Sequence, residues 1–310
     1  MIAEYTGPGF FSSQRRFLLV ALTPALFFLA CFYVYPTIFN IETSLTDLSM
    51  FKLKQGGEWV GLENYVEIFG AQDFRRVIWN TVVWLTVIGV SLRILLGLML
   101  AFLLNSAVLK RWRLQTLARI LLIVPWATPP IVAIIVWRWM LDSQVGIINM
   151  TLIALGITEQ PIAFLAERLW VWPAILTIIT WNTLPLVTLT FMASLQSLPE
   201  ELIEAARIDG ATRWQQIRFV YLPHLKPAII VMILMSTFWT FNNFVYVWLV
   251  TGAGPGLYTN VMATEVYIQA FINGRFGFSA ASGVVMAAIM TLFGLIYLRI
   301  IAEKELAEEQ

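Results

Sequence analysis

The sequence predicts an all-α membrane protein with six transmembrane helices, and three observations carry that prediction. Hydrophobic residues make up 59% of the chain and charged residues only 13%, a balance too apolar for a soluble domain. Six runs reach or approach the roughly 20 apolar residues needed to cross a hydrocarbon layer: residues 17–35, 77–104, 117–139, 169–192, 228–248 and 280–301. Lys and Arg concentrate in alternate loops between these runs. A bilayer offers no water to free backbone groups, so each run is read as an α-helix.

The charge distribution also predicts orientation. Arg15 and Arg16, then Lys110, Arg111, Arg113 and Arg119, then Arg207, Arg213, Arg218 and Lys226, then Arg299 and Lys304 fall on one side. That side, with both termini, is expected to be cytoplasmic. Lys52, Lys54, Arg75, Arg76, Arg138, Arg168 and Arg275 spread over longer loops opposite, where Trp79, Trp137, Trp139, Trp170, Trp172 and Trp248 suit an interfacial belt. No repeat, low-complexity tract or linker divides the chain, so residues 1–310 are expected to form one transmembrane domain.

The first span follows a basic pair as a signal peptide does. It runs nearly full length, however, and lacks a small-x-small cleavage site before Tyr35-Pro36, so it is read as a retained anchor. Cys31, the sole cysteine, lies inside it and can form neither an internal disulfide nor a Cys-based metal site. In the following loop, Gly61-Leu62-Glu63-Asn64-Tyr65 opens a stretch reaching Phe69 that suits a surface helix, either a loop cover or a docking surface. The second span carries Arg93, the one charge well inside a run. It has two readings, contact with an anionic solute or a structural role near the cytoplasmic end of a long helix. Pro125, Pro129 and Pro130 interrupt the third span and predict a hinge or a static bend.

The fourth span places Thr177, Trp181 and Thr188 on one face with Asn182 beside it, and Pro185 is expected to kink it by freeing the Trp181 carbonyl. Between the fourth and fifth spans, Ser197-x-x-Glu200 and Thr212-x-x-Gln215 fit two capping boxes, each opening a short helix. Asp209-Gly210 breaks the pair, with glycine expected because a side chain there would force the two pieces apart. The result is a helix–turn–helix elbow over 197–223. In the fifth span Trp239, Asn242, Asn243 and Tyr246 recur at i, i+3, i+4 and i+7, one helical face.

Glu204-Ala205-Ala206-x-x-x-Gly210, closing at Val220-x-Leu222-Pro223, resembles the EAA loop of permease subunits of binding-protein-dependent ABC importers. Val220 stands where Ile is commoner. Tyr35-Pro36 leading to Ser44-Leu45, the Gly61 to Tyr65 stretch, Asn80-Thr81, Pro125 with Pro129-Pro130, and Thr251-Gly252-Ala253-Gly254-Pro255 extend the likeness to the sugar and glycerophosphodiester branch. The resemblance implies an ABC type I importer permease fold in which Glu204, Ala205, Ala206, Asp209 and Gly210 form the cytoplasmic coupling helix. It implies no cofactor in this chain, ATP and Mg residing in two separate ATPase subunits. A second, homologous permease subunit, an extracytoplasmic solute-binding protein and a bacterial or archaeal cytoplasmic membrane complete the picture it implies.

The residues exclude much independently of that likeness. No Gly-x-x-x-x-Gly-Lys-Ser/Thr stretch exists to cradle a nucleotide. None of the six runs contains Asp, Glu or His, which weighs against the alternative of an ion-coupled secondary carrier, although Na⁺ sites made of backbone carbonyls stay open to it. No paired acid and base or metal-ligand cluster suggests an enzyme, and His224, the sole histidine, is expected to be solvated or bonded to a carbonyl. Trp181, Asn182, Trp239, Asn242, Asn243 and Tyr246 combine amides with aromatic faces, which suits a polyhydroxylated solute such as a sugar. The alternative is that they bind helices to one another.

Overall fold

The computed structural model describes residues 8–106 and 115–308, with side chains described for 17–106 and 115–299. Lys110, Arg111 and Arg113, and the side chains of Arg15, Arg16 and Lys304, lie outside the described residues. Among the described residues the chain is helical, with one isolated antiparallel bridge between Thr46 and Trp59. Five helices among those residues are long and apolar enough to span: α1 Phe17–Ser44, α3 Gln72–Leu104, α7 Arg168–Gln196, α9 Arg213–Phe241 and α12 Phe276–Glu308, of which Phe276–Arg299 qualifies. A bent pair, α4 Gln115–Ala127 and α5 Pro130–Met140 meeting at 96°, brings the number to six if it is counted as one span, and its break divides the expected third span. Shorter helices are α2 Glu63–Gly70, α6 Ile147–Ala154, α8 Glu200–Ile208, α10 Phe244–Thr251 and α11 Met262–Tyr267.

Several boundaries differ from the predicted ones for identifiable reasons. α1 continues past Tyr35-Pro36 to Ser44 because the helix widens into π-type turns over Ala30–Val34, which absorb the donor that Pro36 lacks. The fifth span is not one helix over 228–248. It stops at Phe241, and α10 begins at Phe244 with Asn243 as its cap. α7 runs unbroken through Pro173 and Pro185.

The chain divides into two compact units, Met1–Gly70 with Ile268–Val285, and Ala71–Tyr267 with Met286–Gln310. In the first, α1 exposes its large apolar side chains along its length. The turn after it is fastened by Asn64, whose amide donates to the Ser44 and Thr46 carbonyls at 2.9 and 2.8 Å. The expected surface helix forms as α2, with Asn64 and Ile68 buried. Lys52 pairs with Asp47, whose carboxyl is held below its ordinary range by that ammonium and then by the Glu58 N–H.

In the second unit α7 is the axis, with 61% of its most apolar window buried against 17% for α9. α3 packs against it closely, because Gly89 and Gly97 present no Cβ. A methyl built on Gly97 would sit 2.7 Å from Val187 Cγ1, and one on Gly89 3.2 Å from Leu176 Cδ2. Around this seam Val171, Trp172, Ile175, Ile178 and Ile179 form one apolar cluster with Leu85 and Val247. Val187, Phe191, Met192 and Leu195 form another with Val90, Ile94 and Leu225. Trp84 stacks on Trp172 with centroids 5.7 Å apart.

Asn80 and Thr81, at the start of a π-type stretch of α3, fasten the loop after α10. Asn80 donates to the Tyr258 and Asn260 carbonyls at 2.8 and 2.9 Å, and the Met262 N–H donates to Thr81 Oγ1 at 2.8 Å. Asn80→Ala leaves two buried carbonyls without that donor, which costs about 2 kcal/mol. The expected outcome is a lowered thermal midpoint in detergent and faster proteolysis within 252–261.

Candidate functional site

A cavity of about 590 Å³ is lined by Trp126, Pro130, Asn182, Thr183, Leu186, Trp239, Asn242, Asn243, Phe244, Val245 and Tyr246. Five of the six residues expected to form a solute path therefore meet there. Trp181 does not: it packs edge-on against Trp137, centroids 5.8 Å apart, one position round the helix from Asn182. Thr188 also points elsewhere, fully buried with its hydroxyl on the Leu184 carbonyl. Trp126, Thr183 and Leu186 line the cavity although the sequence pattern does not mark them.

Two helix breaks build this wall. Pro129 has no N–H to give the Pro125 carbonyl and Pro130 has none for Trp126, so the ladder of α4 ends and the chain turns through 96°. Asn182 Nδ2 takes over, donating to the Pro125 and Thr128 carbonyls at 2.7 and 3.2 Å. The Tyr246 hydroxyl then donates to Asn182 Oδ1 at 2.6 Å. At the second break, Asn242 Nδ2 donates back to the Phe238 carbonyl at 3.0 Å, while Asn243 Oδ1 accepts the Tyr246 N–H at 3.2 Å. Trp239, Asn242, Asn243 and Tyr246 thus converge on the cavity through a break, not along one continuous helical face. Adjacent asparagines inside an apolar run are the signal that locates it.

Arg93 is 1% exposed and donates through Nη1 to Thr240 Oγ1 at 3.2 Å. Its Nε and Nη2 have no hydrogen-bond partner, and among the described residues no carboxylate lies within ion-pairing distance of it.

The elbow forms as expected, with different capping at its entrance. α8 begins at Glu200 after Pro199, and Ser197 ends α7, its hydroxyl on the Ser194 carbonyl at 2.9 Å. Pro199 biases Leu198 away from helical angles, so Ser197 cannot open α8. α8 closes in a Schellman motif: the Ala211 N–H reaches the Ala206 carbonyl at 2.9 Å and the Gly210 N–H the Arg207 carbonyl at 3.0 Å. Gly210 has φ +76, and a Cβ there would meet nothing within 4 Å. Glycine is therefore required for its left-handed backbone and not for space. The Thr212 capping box with Gln215 is present, opening α9. His224 Nε2 donates to the Ser194 carbonyl at 2.9 Å and lies 3.2 Å from the Ser197 hydroxyl. Glu204, Ala205, Asp209 and Gly210 are exposed and Ala206 half-buried, beside exposed Leu202 and Ile208, with Trp214 and Phe219 exposed on the second limb.

Long apolar helices, a cavity built on two helix breaks and a protruding capped elbow define a membrane transport subunit. The chain belongs to the family of binding-protein-dependent transport system inner membrane components, whose model matches residues 93–304. That family consists of transporter permeases, which are not catalytic. The chain is 32% identical to a probable ABC transporter permease protein of Brucella suis over 92% of its own length and 96% of the relative's. It is also 32% identical to the sulfoquinovosyl glycerol transport system permease protein SmoG of Agrobacterium fabrum, over 94% and 92% of the two chains. A subunit of a bacterial ABC transporter involved in the import of the acidic polysaccharide alginate shares the fold, with TM-score 0.76 at 23% identity over 93% of this chain and 96% of that one.

Asn182→Ala should be the most damaging single change at the cavity, because it removes the side-chain donor from two carbonyls, leaving Pro125 only the Thr128 N–H at 3.3 Å, and the acceptor from the Tyr246 hydroxyl. It is expected to destabilise the second unit by about 2–3 kcal/mol. A thermal midpoint equal to that of the unaltered protein would show that the bend holds without it.

Proposed function

We propose that this chain is one of two permease subunits of an ATP-driven importer for a sugar or sugar-like solute. The observation that carries the reading is the cavity, where amides and a phenol stand among Trp126, Trp239 and Phe244. Sugar hydroxyls need paired donors and acceptors, while sugar C–H faces rest on aromatic rings. The relative named for sulfoquinovosyl glycerol transport supports the same solute class. The second permease subunit, homologous to this one, completes the path, and an extracytoplasmic binding protein delivers the solute. The membrane is the cytoplasmic membrane of a bacterium or archaeon.

The elbow is the point of coupling. Glu204, Ala205, Ala206, Asp209 and Gly210 seat in a separate ATPase subunit, which holds ATP and Mg, and the elbow faces the cytoplasm with both termini. Leu202, Ile208, Trp214 and Phe219 are 53%, 86%, 67% and 67% exposed, more apolar surface than a loop freely bathed in water needs. Alternating access then follows from population shifts driven by nucleotide binding on that partner.

Trp239→Ala in the assembled complex is expected to lower solute uptake at least about tenfold, equivalent to roughly 1.4 kcal/mol of lost contact, while ATP hydrolysis continues. Normal uptake would remove the cavity from the path. Ile208→Asp should leave the thermal midpoint unchanged, since the side chain is 86% exposed, yet abolish co-purification of the ATPase subunits. Retained co-purification would move the coupling site elsewhere.

A further inference from the structure

Arg93 poses a problem of energy. Burying a guanidinium without a counter-charge costs far more than one neutral hydrogen bond returns. A guanidinium kept for structure normally spends its five N–H groups on carbonyls or carboxylates. This one has a single bond, to Thr240, and leaves Nε and Nη2 unused. The unused groups continue around it. Ser236 Oγ, one turn before Thr240 on the same face of α9, is fully buried without a partner. Thr180 Oγ1 is also unpartnered, one turn beyond the Leu176 that meets Gly89, and Arg93 is one turn beyond Gly89. Arg93, Thr180 and the Ser236–Thr240 turn are therefore level across the seam.

The position of this cluster relative to the cavity gives it a use. Thr240, to which Arg93 donates, lies between Trp239 and the break at Asn242, both in the cavity wall. A cation behind a wall of low dielectric projects its field into the space in front of it. The lining residues include no charged side chain.

We propose that Arg93 makes the cavity anion-selecting, so that the solute class is an acidic carbohydrate, one bearing a carboxylate, sulfonate or phosphate. Nε and Nη2 are the free pair that can receive such an oxyanion when the break at Asn242–Asn243 moves. This deepens the sugar-path reading, and its test uses charge probes in place of transport so that the two can fail separately.

In a Cys31→Ser background, a single thiol placed by Thr183→Cys faces the cavity in the full complex in membrane vesicles. Its modification rate is compared for methanethiosulfonates bearing a sulfonate, a trimethylammonium or no charge. The sulfonate-to-ammonium rate ratio should exceed that of free cysteine. Arg93→Gln should lower the ratio by about tenfold or more, as expected for one charge near the thiol in a medium of intermediate dielectric, with the neutral reagent unaffected. Arg93→Lys should retain it. A ratio unchanged by Arg93→Gln overturns the proposal. So does an unaltered-Arg93 ratio at or below that of free cysteine, a measurement that holds even if the Gln variant fails to assemble.

Discussion

The second unit depends on one amide. Asn182 stands at the middle of α7 and reaches three pieces of chain: the end of α4, the turn before α5, and the start of α10 through Tyr246. Each contact answers a need created elsewhere. The Pro125 carbonyl lost its i+4 donor to Pro129 and keeps only the Thr128 N–H at 3.3 Å, the Thr128 carbonyl lies in the turn, and the Tyr246 hydroxyl is buried behind the cavity wall. An asparagine is suited to the place because it offers two donors and an acceptor in one plane, and neither aspartate nor leucine supplies that set.

The two helix breaks are best understood together. Irregular backbone at membrane depth survives only where it is covered by protein or lines a cavity, and both breaks meet in the same cavity wall, one through Trp126 and Pro130 and the other through Asn242 and Asn243. Proline makes the first by withholding donors; asparagine makes the second by capping both helix ends, Asn242 back to Phe238 and Asn243 forward to Tyr246. The breaks therefore create the concavity and also supply part of its polar lining. The Asn242 and Asn243 side chains are bonded to backbone and also line the cavity, so the cavity's polar lining and its shape are not separable there.

Much of this is legible in the sequence because hydrophobic run length reports directly on helices long and apolar enough to span. The five cavity-lining residues that the sequence marks stand out because polar side chains in an apolar run are costly. Trp181 falls outside the cavity because one position on a helix is a turn of about 100°, enough to send it to Trp137 while Asn182 faces the wall. The break at Asn242 is invisible to run counting, which averages over two asparagines whose capping geometry is local. Ser197 misleads because the same Ser-x-x-Glu spacing fits a cap only if the preceding helix has already ended, and α7 persists to Gln196. Arg93 is visible as a charge in a run, but its burial and its unpaired nitrogens depend on three helices meeting, which no single segment encodes.

The elbow and the cavity are joined by two helices that serve both. α7 runs from Asn182 down to Gln196, about 20 Å at helical rise, and α9 runs from the capping box at Thr212 up to the break after Phe241. At the tip of the elbow between them, the Schellman turn and the capping box satisfy the backbone on both sides of Gly210. It is clamped at its base, where His224 on α9 bonds to the last turn of α7. α7 leads from this elbow to the Asn182 junction and α9 leads to the Asn242 break, the two places where the wall of the cavity is fastened at interrupted helix.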